Sequence, residues 1–213
     1  MSEESRAALL PEPTLRRLPW YLAYVNMLRV QNIEYVSSTQ ISKKINVDAS
    51  QIAKDLYFLN IKGKTRIGYQ VEQLATELSN FLGFHEDHSA FMIGVGSLGA
   101  ALIQDSGLIQ YGLHIVAGFD VNPDIIGTNI CGVPIYDISE LEARQKQYKS
   151  EIGVLAVPVE HAQSSAHLLE ECGVKAIWNF TPFRIKVSED VVIQNTSIYA
   201  HLAVMYNRIN AKK

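Results

Sequence analysis

The sequence has few cysteines and no long apolar run, and both shortages narrow the class of protein. Its 213 residues include two cysteines, Cys131 and Cys172, which are far apart and have no Cys or His partner at metal-ligand spacing. This argues against a zinc site and a disulfide framework, and we expect both thiols to be buried. No segment approaches the ~18 apolar residues of a membrane helix. The first residues lack the order of a signal peptide, so the cytoplasm is the expected compartment.

Charged residues make up only 19% of the chain, but they are unevenly placed. Residues 13–68 contain nine Lys and Arg against three Asp and Glu, whereas residues 85–213 contain nine against fourteen. A basic front half can attract a polyanion such as a nucleic acid, although chance variation on solvated faces gives the same pattern. The length suits two domains of ordinary size.

The basic half begins with the periodicity of helices. Apolar residues from Leu15 to Leu28 recur at three- and four-residue steps, which predicts a first helix with Thr14 at its N-cap position. After a polar break, a shorter helix is predicted, capped by Ser38 or Thr39. Both helices would bury one apolar face.

A tight turn at residues 46–48 separates this short helix from a third one, which opens at Asp48 or Ser50. Two short helices joined by a three-residue turn are typical of DNA-binding domains, in which the second helix of the pair enters the major groove. The predicted DNA contacts are polar, basic or aromatic side chains: Arg16, Arg17, Ser38, Ser50, Gln51, Lys54, Tyr57, Lys62, Lys64 and Arg66.

The stretch from Asn60 to Tyr69 is basic and contains Gly63 and Gly68, which predicts a β-hairpin wing that lies along the phosphates. Residues 71–82 predict another helix, and residues 83–88 a linker. The predicted DNA-binding domain therefore covers residues 1–84.

A glycine loop opens the second half. The apolar run 90–93 is followed by GVGSLG at 94–99 and then by a helical pattern, which is the strand, GxGxxG and helix context of dinucleotide-binding folds. Asp120 ends the next apolar strand, where a carboxylate can accept hydrogen bonds from both ribose hydroxyls and disfavours a 2′-phosphate. NAD(H) is therefore favoured over NADP(H). The loop could instead bind another nucleotide or an acyl-CoA.

Further strands at 152–157, 175–180 and 191–193 alternate with helices at 160–171 and 198–209, which predicts an α/β fold with a doubly wound parallel sheet. The predicted Rossmann-like domain covers residues 85–196, and residues 197–213 form a C-terminal helix. The predicted cofactor contacts lie in the glycine loop and at strand ends: Gly94, Val95, Gly96, Ser97, Leu98, Gly99, Asp120, Val121, Val157, Pro158, Asn179, Phe180, Thr181 and Pro182. For Pro158, Asn179 and Phe180, packing at a strand end is an equally good reading.

In order along the chain, these motifs resemble the Rex family of redox-sensing transcriptional repressors. The resemblance runs from about Pro13 to Tyr206. It is carried by TLRRLP at 14–19, SS at 37–38, DL at 55–56, GY at 68–69, GVGSLGAAL at 94–102, GFDVNP at 118–123, GVPIY at 132–136, AVP at 156–158, AQ at 162–163 and NFTP at 179–182.

The resemblance implies a homodimer whose winged helices bind a palindromic operator and whose C-terminal helices are swapped between subunits beside the nicotinamide. It also implies that NADH favours release of DNA and that NAD⁺ permits binding. The uncharged reduced ring can enter an apolar slot near Phe180, whereas the cationic oxidised ring resists burial.

The sequence departs from the family pattern at several positions. Asp105 stands where a Tyr is usual, and Ser197 stands where the last helix usually begins with an Asp; with Tyr199 they are our candidates for redox coupling. Ala53 replaces a usual Arg or Lys, and the wing lacks its usual Phe-Gly start. In the family the first two positions belong to the polar network that senses the redox state, so these departures leave open the direction and strength of the switch. The changes in the recognition helix and the wing could alter the operator sequence or weaken phosphate contact.

Two other classes of protein remain open. A small NAD-dependent oxidoreductase would need acid–base residues, but no Lys/Tyr, Cys/His or paired-carboxylate arrangement is evident. His161, His167 and His201 suit helix surfaces or the core better than a catalytic base. A nucleotide-binding interaction module would use the winged helix to contact protein. We therefore predict no enzyme, no metal site and no membrane partner.

Overall fold

The computed structural model describes residues 10–212. The chain divides into two units, the first ending at Glu86 and the second beginning at Asp87. Residues 1–9 of the predicted DNA-binding domain and Lys213 of the predicted C-terminal helix lie outside the described residues.

The first unit starts with helix α1, Glu12–Val30, which Pro11 precedes. Thr14 is therefore not the N-cap; it lies inside the first turn and is buried. Pro fits the start of a helix because the first amides have no intrahelical acceptor. The predicted apolar face packs into the core of this unit, with Leu18 and Val25 fully buried.

The helix-turn-helix is formed by α2, Ser38–Ile45, and α3, Ala49–Phe58. The cap of α2 is Ser37, one residue before the predicted caps, because Ser37 and Gln40 form a reciprocal capping box. Asp48 caps α3 by accepting from the amide of Ser50 at 2.7 Å. The predicted turn between the helices is confirmed.

The wing is smaller than a regular hairpin. It is closed by a single antiparallel bridge between Lys64 and Gly68, whose φ is 104°. A side chain at Gly68 would overlap the backbone of Val36, so the close approach requires glycine. Strand β1, Tyr35–Val36, pairs with β2, Tyr69–Gln70, at the base of the wing. Helix α4 then covers Val71–Leu82, as predicted.

The second unit is built on a seven-stranded sheet of order β5-β6-β4-β3-β7-β8-β9, parallel except for the β5–β6 pair. The strands are β3, His88–Ile93; β4, Leu113–Asp120; β5, Asn129–Ile130; β6, Val133–Asp137; β7, Ile152–Leu155; β8, Ala176–Asn179; and β9, Val192–Asn195. The α-helices are α5, Ser97–Gln104; α6, Ser106–Gln110; α7, Leu141–Tyr148; α8, Ala162–Glu171; and α9, Ile198–Asn210. His88 thus belongs to a strand and not to the predicted linker.

Both faces of this sheet are covered. Alternate residues of β3 point to opposite faces, so Phe91 packs with α7 and α8 while Met92 packs on the side of α5. The predicted doubly wound α/β architecture is confirmed. Cys131 contradicts the prediction of burial: it is exposed in the β5–β6 turn at φ 50°, while Cys172 is partly buried.

The last helix, α9, has no buried residue. Most of its apolar side chains are exposed, Tyr199 and Tyr206 by 64% and 56%. Among residues 10–212, none of the helices is long and apolar enough to cross a membrane. Exchange of α9 between subunits stays a prediction.

Candidate nucleotide cleft and nucleic-acid interface

A cleft of about 660 Å³ opens at the carboxyl ends of the central strands of the second unit. The end of a parallel sheet beside its first strand is where ligands bind in such folds. Six of the predicted cofactor residues line this cleft together: Gly94, Gly96, Asp120, Val121, Val157 and Pro158. Four of them come from the ends of β4 and β7, which flank β3 in the sheet.

The glycine loop is tightly packed at Gly99 and open at Gly96. A side chain at Gly99 would overlap the carbonyl oxygen of Gly94, so α5 can pack this closely only with glycine. A side chain at Gly96 would meet nothing within 4 Å. Gly96 is also the N-cap of α5, and no side chain caps that helix. The amides of Ser97, Leu98 and Gly99, in its first turn, therefore have the geometry of an anion site.

Asp120 is held in place by backbone amides. One carboxylate oxygen accepts from the amide of Val95 at 2.6 Å, and the other accepts from Val121 and Asn122 at 2.8 and 2.9 Å. A carboxylate has about four acceptor positions, so in this conformation Asp120 retains capacity for one further hydrogen bond. The amide of Val95 is committed to Asp120 and not directed at a phosphate.

Part of the cleft was missed by sequence reasoning. Its outer wall comes from the 3₁₀ turn after β6, the 3₁₀ turn after β7 and the first turns of α8; the residues are Ile138, His161, Ser164, Ser165 and Leu168. The signal was present in the βα order, because the helix after β7 starts at the same end of the sheet as the glycine loop.

The segment after β8 does not line this cleft. Asn179 and Thr181 are buried, and the Asn179 side chain bonds Thr181, Phe183 and Asn195. Phe180 packs on Trp178 with ring centroids 4.6 Å apart, and Pro182 is exposed. Asn179 and Thr181 thus shape the loop internally, and contact of this segment with a cofactor stays a prediction.

The three candidates for redox coupling make local contacts. Asp105 caps α6 by accepting from the amide of Gly107 at 2.8 Å, and Ser197 caps α9 by accepting from Ala200 at 3.2 Å. Tyr199 is exposed. Capping explains why an Asp and a Ser suit these positions, and their role in coupling stays a prediction.

In the first unit, several predicted DNA contacts lie on exposed faces. Lys54 and Tyr57 are exposed on α3, and Arg16 is exposed on α1, where it pairs with Glu12. Ser38 is the first residue of α2. Ser50 begins α3 with its hydroxyl donating to Asp48 at 2.6 Å. These positions are accessible to a phosphate backbone.

The wing presents three basic side chains, Lys62, Lys64 and Arg66, all exposed. Lys64 donates to the hydroxyl of Tyr35 at 3.1 Å, and its ammonium lies 5.2 Å from the ring centroid. Arg66 is at the tip with φ 67°, a left-handed conformation that is unusual outside glycine.

Arg17 and Gln51 have internal partners. Arg17 donates two hydrogen bonds to the carboxylate of Asp55, at 2.7 and 2.8 Å, and Gln51 donates a third at 2.8 Å. Thr14 and Tyr21 add donors at 3.1 and 2.7 Å. Asp55 lies on the inward face of α3 and is 0% exposed, a position that apolar periodicity alone would fill with an aliphatic residue.

These contacts fix the charge states of the group. Burial alone would raise the pKa of Asp55, but hydrogen bonds from Arg17, Tyr21 and Gln51 outweigh it and hold that pKa below its usual value. Hydrogen bonding to Asp55 raises the pKa of Arg17, and burial raises the pKa of Tyr21. At neutral pH Asp55 is therefore an anion, Arg17 is a cation and the Tyr21 phenol is neutral.

A basic winged helix joined to a Rossmann-like unit with a glycine-loop cleft defines the class of nucleotide-responsive DNA-binding regulators. Comparison with protein families agrees for both units: residues 10–56 match "Putative DNA-binding protein N-terminus" and residues 85–183 match "CoA binding domain". Across both units, the Redox-sensing transcriptional repressor Rex of Bacteroides thetaiotaomicron is 59% identical over 201 residues, 94% of this chain and 91% of that protein. The chain belongs to the Rex family of redox-sensing transcriptional repressors.

Solved structures agree with this membership. The crystal structure of RSP in complex with β-NAD⁺ and operator DNA matches with a TM-score of 0.91 at 33% identity, covering 96% of this chain and 94% of that one. The RSP complex with β-NADH matches with a TM-score of 0.85 at 34% identity, covering 96% of both chains. The predicted fold class is confirmed, and so is the prediction of a repressor, because the full-length relatives are named repressors and not enzymes.

Proposed function

We propose that this chain represses transcription by binding operator DNA through its first unit and that NADH, bound in the cleft of the second unit, releases it. The observation that carries the proposal is the cleft itself: an uncapped helix N-terminus, the open side of Gly96 and the Asp120 carboxylate all face one space. RSP, which shares the fold, is known in complexes with β-NAD⁺ and with β-NADH.

The residues of the cleft fit the parts of a dinucleotide. The amides of the first turn of α5 would bind the pyrophosphate, because a helix N-terminus offers free donors and a partial positive charge. Asp120 would accept from one ribose hydroxyl with its remaining acceptor capacity. Ile138, Leu168 and Pro158 would pack against the adenine. When bound, the nicotinamide supplies the difference that is sensed, since its ring is neutral when reduced and cationic when oxidised.

DNA binding rests on α3 and the wing. Lys54 and Tyr57 would enter the major groove, with Ser38 and Ser50 near the phosphates at the helix starts. Arg16, Lys62, Lys64 and Arg66 would add phosphate contacts. Such contacts displace counterions, so binding should weaken steeply with salt.

A ligand can release DNA only if it binds the DNA-incompetent state more tightly than the DNA-bound state. In a homodimer, a small rearrangement between subunits changes the spacing of the two recognition helices relative to a palindromic operator. We infer that this chain acts as such a dimer, with α9 as the swapped element, in the cytoplasm. Exposure of Ile198, Tyr199 and Met205 on α9 supports a partner for that helix.

A CoA ligand is the closest alternative for the cleft, given the family description matched by residues 85–183. The full-length relative named as a redox-sensing repressor and the NAD(H) complexes of RSP favour the nicotinamide nucleotide. Competition between NADH and CoA for the purified chain would separate the two.

The test is a titration of full-length protein on a DNA duplex selected by the wild-type chain from a randomised library. NADH is expected to release the duplex and NAD⁺ to leave it bound. Asp120→Ala should weaken release by NADH while DNA binding persists. If neither nucleotide binds, or if NADH leaves DNA binding unchanged, the proposed function is wrong.

A further inference from the structure

The carboxylate of Asp55 receives five hydrogen bonds, all from side chains, although it lies on the recognition helix. Three donors reach one oxygen, from Thr14, Arg17 and Gln51, and two reach the other, from Arg17 and Tyr21. Four of these five bonds come from α1. The cluster therefore joins the two helices at a single buried point.

The hydrogen bonds at Asp55 restrict the orientation of α3 relative to α1. Apolar contacts of α3, such as those of Ile52 and Leu56, are non-directional and allow small rotations and shifts of a helix. A bidentate arginine–carboxylate pair has a planar geometry that fixes orientation as well as distance. Because Asp55 and Lys54 are neighbours on one helix, the angle at which Asp55 is held also sets the direction of Lys54 and Tyr57.

We propose that Asp55, Arg17, Tyr21 and Thr14 are positioning residues for DNA reading, which hold α3 at the rotation that presents its exposed face to base edges. This inference rests on the proposed function. It reassigns Arg17, which the sequence predicted as a DNA contact, to an internal role: its side chain is 20% exposed, and both Nε and Nη2 donate to Asp55.

A positioning role and a phosphate-contact role predict different effects of a substitution on DNA affinity when the salt concentration or the DNA sequence is varied. Loss of a phosphate contact weakens binding to all duplexes alike and lowers the salt slope by about one. Loss of positioning leaves the number of phosphate contacts unchanged and lowers the ratio of operator to non-operator affinity. Tyr21 is 0% exposed and Thr14 is 3% exposed, so neither side chain is accessible to DNA.

The experiment measures the affinity of full-length variants for the selected duplex and for a scrambled duplex at several salt concentrations. Tyr21→Phe and Thr14→Val each remove one donor to Asp55 and keep the shape of the side chain, and Thr14→Val also removes the acceptor of a 3.2 Å hydrogen bond from Arg17. We expect each to lower the ratio of the two affinities by roughly tenfold or less, with an unchanged salt slope and unchanged NADH affinity. Tyr24→Phe is the matched control, because Tyr24 lies on the same helix and donates nothing to Asp55.

Arg17→Lys separates the two roles of that residue. A lysine serves as a point charge for a phosphate but cannot reproduce the bidentate pair with a carboxylate. We expect Arg17→Lys to lower the affinity ratio as Tyr21→Phe does, at an unchanged salt slope. The proposal is overturned if Tyr21→Phe and Thr14→Val, shown by hydrogen exchange to be folded, keep the wild-type ratio.

The outcomes also separate this inference from the proposed function. If the wild-type chain enriches no duplex from the library, the proposed function fails. If the wild type enriches a duplex and the variants discriminate as well as it does, only the positioning role fails.

Discussion

The two units each contain an aspartate that several donors hold in place, but the donors differ in kind. Asp55 receives only side-chain donors and is fully buried, whereas Asp120 receives three backbone amides and is partly exposed beside a cleft. Side-chain donors from a second helix join two elements, and each can be removed by one substitution. Backbone donors orient a carboxylate that still has capacity for a ligand. The first arrangement is suited to holding a helix and the second to binding.

The largest effect, on the stability of the first unit, is expected from neutralising Asp55, the buried one of the two aspartates. Asp55→Asn leaves the guanidinium of Arg17 without its anion and places an amide among five donors. Loss of one partner from a buried ion pair typically costs about 3–5 kcal/mol, and the partial exposure of Arg17 favours the lower end, about 3 kcal/mol. Hydrogen exchange should show lower protection in residues 10–86 only. Equal loss in the second unit would contradict a local role.

The next largest effect is expected from substitutions in the glycine loop, which test whether the second unit is built for ligand binding. Gly99→Ala forces α5 away from the loop, so we expect NADH affinity to fall by about 100-fold or more with lower stability of the second unit. Gly96→Ala meets open space and should keep that stability while it weakens NADH binding. Calorimetric titration with NADH and thermal unfolding measure both. Equal effects of the two substitutions on stability would contradict the assigned roles.

Acid should weaken the contribution that Asp55 makes to the stability of the first unit. Because the pKa of Asp55 is lower in the folded state, its stabilising contribution is complete above the unfolded value of about 3.9 and is lost as pH falls toward the folded pKa. The free energy of unfolding of residues 10–86 should therefore decrease below about pH 4. Asp55→Asn should remove that part of the pH dependence. A variant with the wild-type acid profile would show that other carboxylates cause it.

The smallest effect is expected at the exposed surface. Lys54→Ala removes a charge from α3 without breaking a described contact, so we expect a loss of DNA affinity of about three- to tenfold with a salt slope lower by about one. NADH binding should be unchanged. Arg29→Ala is the control, since Arg29 is an exposed cation in the last turn of α1 that is not among the predicted DNA contacts. An unaltered slope for Lys54→Ala would move the DNA contact elsewhere.

Much of this fold follows from sequence periodicity, and the failures have physical causes. The helices α1, α3 and α4 and the strands before and after the glycine loop were predicted because apolar spacing and capping signals agree over many residues. Strand β1 was missed since two residues carry no alternation. Thr14 was predicted as an N-cap and Arg17 as a DNA contact because their partner, Asp55, is distant in the sequence, and a buried carboxylate contradicts the expectation for a helix interior.

In the candidate site too, residues of a local sequence motif were predicted, and residues brought together only by the folded sheet were not. The glycine loop and Asp120 belong to one strand–loop–helix–strand motif, and Gly94, Gly96 and Asp120 line one cleft, while their contact with a cofactor stays a prediction. Leu168 and Ser164 lie about 70 residues from that loop and become its neighbours only when the sheet forms. Asn179 was proposed as a cofactor contact, and its side chain is used by Thr181, Phe183 and Asn195.

Arg66, at the tip of the wing, has a left-handed backbone conformation. This position therefore carries a positive charge but is conformationally unfavourable for any residue other than glycine. A residue with a side chain in this region costs about 1 kcal/mol relative to glycine. Arg66→Gly would therefore relax the loop and at the same time remove an exposed cation that we propose contacts the DNA phosphates. A variant made more heat-resistant at this position would then be a poorer repressor, and a screen for thermal tolerance alone would not detect that loss.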